Sequence, residues 1–249
     1  MKKVKRQIGE SDLFIETDTP EAIDLAFSAI RSHREQLLAY IAQHEEFLHS
    51  FSPVEVGNNA PSIVFAMAQA AKIADVGPMA AVAGALADFA IEEMMQMNPR
   101  IAIVENGGEI VGRMKESLST PITIGVYAGD NSSISGKIGF HLEFEDFPFG
   151  LGTSSATVGH AFSFGHADAA CVFADNAAIA DACATAVCNA VTGDAIQQSI
   201  RNGLEVAMSI KEIKGVFIIR RNHVGCAGKL PRLTSINDIV IKNKEIEVV

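Results

Sequence analysis

Two oxygen-bearing side chains, Asp181 and Thr185, interrupt an otherwise small and apolar run, ADACATAV, residues 180 to 187. Read as a helix, a spacing of four puts both on one face, about 5–6 Å apart at Cβ. The helix follows Asp175-Asn176, a pair suited to N-capping. Asp181 lies more than a turn beyond the cap, where the helix dipole helps little and a buried charge needs a cation or several donors. Thr185 could bond back to the Asp181 carbonyl, as mid-helix threonines do. Alternatively, carboxylate and hydroxyl form a pair of hard oxygen ligands suited to Mg²⁺ held jointly with substrate phosphates. Spacing alone leaves both readings open.

Three other stretches carry chemistry-bearing residues. In VENGGEI, Asn106-Gly107-Gly108 reads as a hairpin turn that uses positive φ, or as a close backbone approach to a ligand that a Cβ would block. In GLGTSSATVGH, Thr153, Ser154 and Ser155 stand among glycines and could present N–H and O–H groups to phosphate oxygens. That stretch matches Gly-x-Ser-x-Gly only in part, because Ala156 replaces the last glycine, so it gives little support to a serine hydrolase. His160, His166 and Asp168 could form a transition-metal set, or one histidine could serve as a general base or phosphate donor, or both could be hydrogen-bonding loop residues. Met94, Met95 and Met97 read as core packing.

The elements that must position these residues follow from periodicity and punctuation. DLFIET, residues 12 to 17, alternates as a strand. Thr19-Pro20-Glu21 then predicts a helix with Thr19 as N-cap and Pro20 at its first position, running to about residue 50. Its polar face, with His33, Arg34, His44, Glu45, Glu46 and His49, reads as solvated. Two alanine-rich helices come next, broken by Lys72, Asp75, Pro78 and Asp88, which suits core helices better than a membrane span. From residue 101 the pattern turns to antiparallel hairpins, with strands at IAIV, EIVGR, PITIGVYAG and GKIGFHLEF. The strand AACVFA leads into the ADACATA helix, then come a second helix from about Asp194 to Lys211 and a final set, GVFIIRRNH and DIVIKN. No repeat or Pro-rich linker interrupts the chain, so the expectation is a single α+β domain with a largely antiparallel sheet and packed helices.

Composition narrows the class. The 249 residues are 48% hydrophobic with a formal net charge of −10, and the mean hydropathy is +0.21. That acidic balance argues against an electrostatic nucleic-acid footprint, which needs clustered basic surface. Only MKKVKR at the start looks basic, and no apolar stretch follows it as a secretory signal would require. Cys171, Cys183, Cys188 and Cys226 show no Cys-x-x-Cys spacing and read as reduced thiols. The expectation is a cytoplasmic protein that binds neither nucleic acid nor membrane, with homo-oligomerisation left open.

Taken together, GPMAAVAGALAD, then ENGGEI, then GTSS, then HADAACVFADNAAIADACATAV resemble the ApbE-like superfamily, the FAD:protein FMN transferases, over roughly residues 60 to 192. The resemblance is strongest to a shorter, uncharacterised branch. It implies an ApbE-like domain across residues 1–249, with Asp181 and Thr185 holding Mg²⁺ against the FAD pyrophosphate and Ala80 lending a backbone carbonyl to that metal. It further implies that Asn106, Gly107 and Gly108 line the flavin nucleotide site with Thr153, Ser154 and Ser155, and that His160 or His166 replaces a catalytic histidine. Two departures stand out. Ala81-Val82 occupies the place of a Lys-Gly pair, and a His-x-x-Asp-Pro segment with its Thr-Gly turn is missing. The resemblance thus implies a Mg²⁺-dependent FAD-binding protein, either an FMN transferase or a pyrophosphatase, whose partner is a dinucleotide and, for transfer, an acceptor protein. The alternatives are a non-catalytic flavin-binding or scaffold protein and, more weakly, a transition-metal hydrolase.

Overall fold

Alternating apolar residues build the first hairpin of the computed structural model, whose described residues are 1–116, 122–130, 132–158, 163–236 and 247–248. β1 (Lys2–Ile8) pairs antiparallel with β2 (Ser11–Thr17). The basic N-terminus, which carried no strand expectation, is therefore an edge strand. Exposed lysines along such an edge discourage pairing with other chains.

The first long helix differs from expectation at both ends. α1 runs Ala22–Ile41 and has no side-chain cap. Thr19 contributes its backbone carbonyl to the Ala22 N–H at 3.0 Å instead of a hydroxyl. The chain then breaks before a short α2 (Glu45–His49). His33 does not stand in solvent: it stacks on Phe89 with ring centroids 4.1 Å apart. α3 (Ser62–Ala74) stops at Asp75, which adopts left-handed backbone. A 3-10 turn (Pro78–Ala81) leads directly into α4 (Val82–Met95). α3 meets the run from Pro78 to Met95 at 104°, and among the described residues no single helix is long and apolar enough to cross a membrane. Met94 is buried as expected, whereas Met97 is exposed.

The strands that follow are β3 (Ile101–Asn106), β4 (Glu109–Met114), β5 (Ile122–Gly125), β6 (Ile138–Leu142), β7 (Phe149–Ser154) and β8 (Ala169–Ala174). Next come α5 (Ala177–Ala190) and α6 (Ile196–Ser209), then β9 (Gly215–Arg220), β10 (His223–Gly228), β11 (Arg232–Ser235) and β12 (Glu247–Val248). The expected DIVIKN strand lies outside the described residues. Nine strands form one sheet in the order β1-β2-β3-β4-β7-β8-β9-β10-β12, antiparallel except where β12 joins β10. A second sheet, β11-β6-β5, covers part of it.

Strand alternation separates the faces. Val172, Val216 and Ile218 point to the helices and pack with α3, α5 and α6. Cys171, Phe173, Phe217 and Ile219 point the other way and pack on Phe140 and Leu142 of the small sheet. The α+β class with a largely antiparallel sheet is as expected. One strand was not: β7 includes the GLGTS residues that read as a loop. Its glycines serve packing, because a Cβ on Gly152 would fall 2.3 Å from the Ala180 carbonyl carbon, and one on Gly150 would fall 2.0 Å from that of Asn176. Their absence lets α5 lie directly on the strand.

Candidate functional site

The start of α5 is fixed by two side chains. Asn176, and not Asp175, is the N-cap: its side chain accepts from the Ile179 N–H at 2.9 Å. Asp175 instead pairs with Lys214 at 2.6 Å on the surface. The remaining first-turn amides go to a carboxylate from another helix, since Asp88 of α4 accepts from Ala177 N–H at 2.9 Å and Ala178 N–H at 2.8 Å. The favour is returned. Gly84, in the first turn of α4, donates its N–H to Asp181 Oδ2 at 3.0 Å, and the Ala83 amide bonds to the same carboxylate. Helix starts leave free N–H groups with partial positive charge, so each aspartate sits where a carboxylate is favoured. A Cβ at Gly84 would lie 2.2 Å from the Ala177 carbonyl oxygen, so only glycine admits this approach.

A third carboxylate completes the group. Glu109 opens β4 on its helix-facing side, is 7% exposed, and accepts a hydrogen bond from the Thr153 backbone N–H. Burial raises it to about 7. Burial and then the Glu109 charge push Asp181 well above the ordinary carboxylate range, against the help of the Ala83 and Gly84 amides. Burial also raises Asp88 to about 6, although its two amides and the Arg113 charge act in the opposite sense. No ion pair reaches any of the three among the described residues. Glu109 escaped the sequence reading because it looked like the ordinary start of a strand. The available signal was its place directly after Gly107-Gly108.

The hairpin turn converges on the same place. Asn106 Nδ2 donates to the Ala83 carbonyl at 3.0 Å, tying the turn to α4. Gly107 and Gly108 have φ of 68° and 118°, and Gly107 lies beside the Glu109 carboxylate. Ala80 sits in the 3-10 turn before α4, with its N–H on the Gly77 carbonyl, and that turn packs on α5. Thr185 is half-buried one turn after Asp181 and makes no side-chain hydrogen bond among the described residues, so it does not bond back to the Asp181 carbonyl.

The three hydroxyls of the Thr153–Ser155 stretch are spread apart. Thr153 points to the face away from α5, with Oγ1 3.8 Å from the Cys171 sulfur. Ser155 turns into its own loop and accepts from the Thr157 and Val158 amides at 3.0 Å. Ser154 alone faces α5, where its buried hydroxyl lies against the Cys188 thiol. As a joint phosphate cradle of three hydroxyls the expectation is therefore corrected, because alternation along β7 sends consecutive side chains to opposite faces.

His166 is not at this place. His166 N–H bonds to the Val191 carbonyl beyond the C-terminal end of α5, about 15 Å along the axis from Asp181. His160 lies outside the described residues. The Asp168 carboxylate is engaged with the Arg221 backbone N–H, and no group of three His, Cys, Asp or Glu side chains among the described residues could hold a metal ion. The groups that lie near one another here, the Asp181, Glu109 and Asp88 carboxylates, carry only oxygen donors, a type suited to a hard cation rather than a transition metal.

This fold has relatives. The family model described as AbpE bacteria matches residues 1–212, so the chain belongs to that ApbE-like class. It shares its fold with the flavin transferase ApbE from Vibrio cholerae, at TM-score 0.55 and 12% identity over 94% of this chain and 96% of that one. The flavinyl transferase ApbE of Pseudomonas stutzeri gives 0.56 and 13% over 95% and 94%. More particularly, the chain is 45% identical over 228 residues to a UPF0280 protein of Methanocaldococcus jannaschii, covering 91% of this chain and 90% of the relative. A UPF0280 protein of Methanococcus maripaludis is 44% identical over 237 residues, 94% of each. The chain is a member of the UPF0280 family.

Proposed function

We propose that the α4–α5 junction binds Mg²⁺ together with the pyrophosphate of FAD or a related dinucleotide, in a cytoplasmic setting. The observation that carries this reading is the cluster of three carboxylates, buried Glu109 with half-buried Asp181 and Asp88, none of which has an ion-pair partner among the described residues. Fully deprotonated, the cluster is costly; a divalent cation removes that cost. Asp181, the Thr185 hydroxyl and the Ala80 carbonyl would hold the ion, which when bound would neutralise charge on phosphate oxygens. The likeness to flavin transferases supports a flavin nucleotide as the ligand.

This chain's own residues divide the remaining work. Gly107 and Gly108 allow close backbone approach beside Glu109, and Ser154 would turn its hydroxyl from the Cys188 thiol to a ligand lying against α5. The Asn106 amide holds the turn in register with α4. The reaction would cleave or transfer across the pyrophosphate, to water or to the hydroxyl of an acceptor protein. A second reading, binding without turnover, is favoured by two observations: the Thr153 and Ser155 hydroxyls turn away, and His166 is remote.

Asp181→Asn tests the site. The amide keeps the shape and removes the charge, so Mg²⁺-dependent FAD affinity should fall at least tenfold, about 1.4 kcal/mol. Apo stability should hold or rise, because an amide avoids the buried-charge cost. Calorimetric titration of FAD with and without Mg²⁺, paired with thermal melts, reads both. An Asn variant that unfolds yet binds FAD normally while folded would make Asp181 only a helix cap. AMP release on incubation with FAD and Mg²⁺ then separates turnover from binding.

A further inference from the structure

A cavity of about 630 Å³ opens where α3 and α6 end. That is the size of a small-molecule site. Its apolar lining comes from Ile73 and Val76 at the end of α3, Ala186 of α5, and Val206 and Ile210 at the end of α6. Asp75, Ser209 and Glu212 supply acceptors. Asp75 follows the last residue of α3, and Glu212 lies just beyond α6. Both are exposed, and among the described residues neither enters an ion pair. Ser209 Oγ gives its one proton to the Val206 carbonyl at 2.7 Å, so its lone pairs remain to accept. The donors are Lys211 and the amide of Asn189, whose Oδ1 already takes the Phe164 N–H at 2.8 Å.

The helix ends tip the balance further. The last carbonyls of α3 and α6 carry partial negative charge, which a basic side chain in the final turn can offset. α6 has no basic residue in its last turn. α3 has Lys72, but that ammonium goes to Glu55 at 3.1 Å. The negative charge is also felt inside the fold: burial pushes the Cys183 thiol of α5 up to about 12, and the Glu212 charge acts in the same direction. Lys211 is the one cationic side chain among the described residues that line the cavity, and it is exposed. One mobile ammonium does not balance two carboxylates and two helix ends.

We propose that this cavity binds a small aliphatic ammonium compound, a diamine or polyamine, whose charged nitrogens are taken by Asp75, Glu212 and Ser209. An ammonium has three donors and no acceptor, which suits two carboxylates and a hydroxyl. Its methylene stem would leave water along the walls from α3, α5 and α6. A bare metal ion would use the charge and leave the apolar lining idle. The site shares no side chain with the α4–α5 junction and stands independently of the dinucleotide reading.

Calorimetric titration with putrescine tests this, in neutral low-salt buffer without Mg²⁺ and with butanediol as the uncharged comparator. Wild-type protein should bind putrescine saturably and give no binding heat with butanediol. Asp75→Asn and Glu212→Gln should each weaken binding about threefold, and the two together about tenfold. Asparagine tolerates the left-handed backbone that Asp75 adopts, and Glu212 is exposed, so both variants should fold. Lys211→Ala should strengthen binding about threefold, because it removes the competing ammonium. No saturable heat with putrescine, equal binding of butanediol, or an affinity that the double variant leaves unchanged would each overturn the proposal.

Discussion

The N-terminal half of α5 carries Asp181 beside Glu109 and Asp88, whereas its C-terminal end lies against Arg220 and His166. Both ends hold charge without an ion pair among the described residues, but only the acidic end draws on helix-start amides. They differ in what they can do alone. A buried carboxylate can take up a proton and become neutral, and the raised values at Glu109 and Asp88 show that tendency. A guanidinium has no such exit. The acidic end is thus tunable by pH or by a cation, while the basic end keeps its charge and rests on neutral acceptors.

The largest expected effect tests that tunability. Glu109 is raised from an ordinary 4.5 to about 7, so the folded state holds its proton more tightly than the unfolded chain does. The associated stability is fully present below about 4.5 and is lost as pH climbs through about 7, with Asp88 and Asp181 acting in the same direction. Apo protein should lose of order a few kcal/mol across that window, Mg²⁺ should restore part of it at the upper end, and Glu109→Gln should flatten the profile. Denaturant melts over the pH series check this. A wild-type profile that is already flat would remove the contrast between the two ends.

Next comes the packing that delivers α5 to the acidic end. Gly152→Ala places a Cβ 2.3 Å from the Ala180 backbone, which cannot give way as a side chain would. A loss of about 1–3 kcal/mol is expected, accompanied by weaker Mg²⁺-dependent binding as Asp181 shifts. Urea denaturation and titration of the same variant measure both; an unchanged protein would mean that α5 slides freely on β7. The smallest effect is Thr185→Val, which removes one neutral oxygen and keeps the volume. It should reduce Mg²⁺-dependent FAD affinity by less than Asp181→Asn and leave the pH profile untouched, as paired titrations and melts would show.

Much of this was legible in the residues because periodicity reports local structure directly. The ADACATA helix, the ENGG hairpin and the strand AACVFA fell where alternation and spacing placed them. GLGTS was misread because its glycines, which suggest a loop in isolation, are there to admit a helix that arrives from elsewhere in the chain. The Thr19-Pro20 cap failed for the converse reason: a favourable local signal was displaced when the helix began at Ala22. Glu109 and Arg220 carried no local pattern at all. Their significance comes from burial without a counter-charge, a property of the assembled fold rather than of spacing. Asp181 was singled out by its type and position, yet its bond to Gly84 spans 97 residues and could not be foreseen.

That bond, with its reciprocal from Asp88, means that neither α4 nor α5 has a complete beginning by itself. Fraying at either start exposes two amides and releases a carboxylate needed by the other, so the two helices should open as one cooperative unit rather than independently. A ligand held at their junction would then suppress a shared fluctuation. Its binding energy would be felt along both helices, out to the distant end of α5.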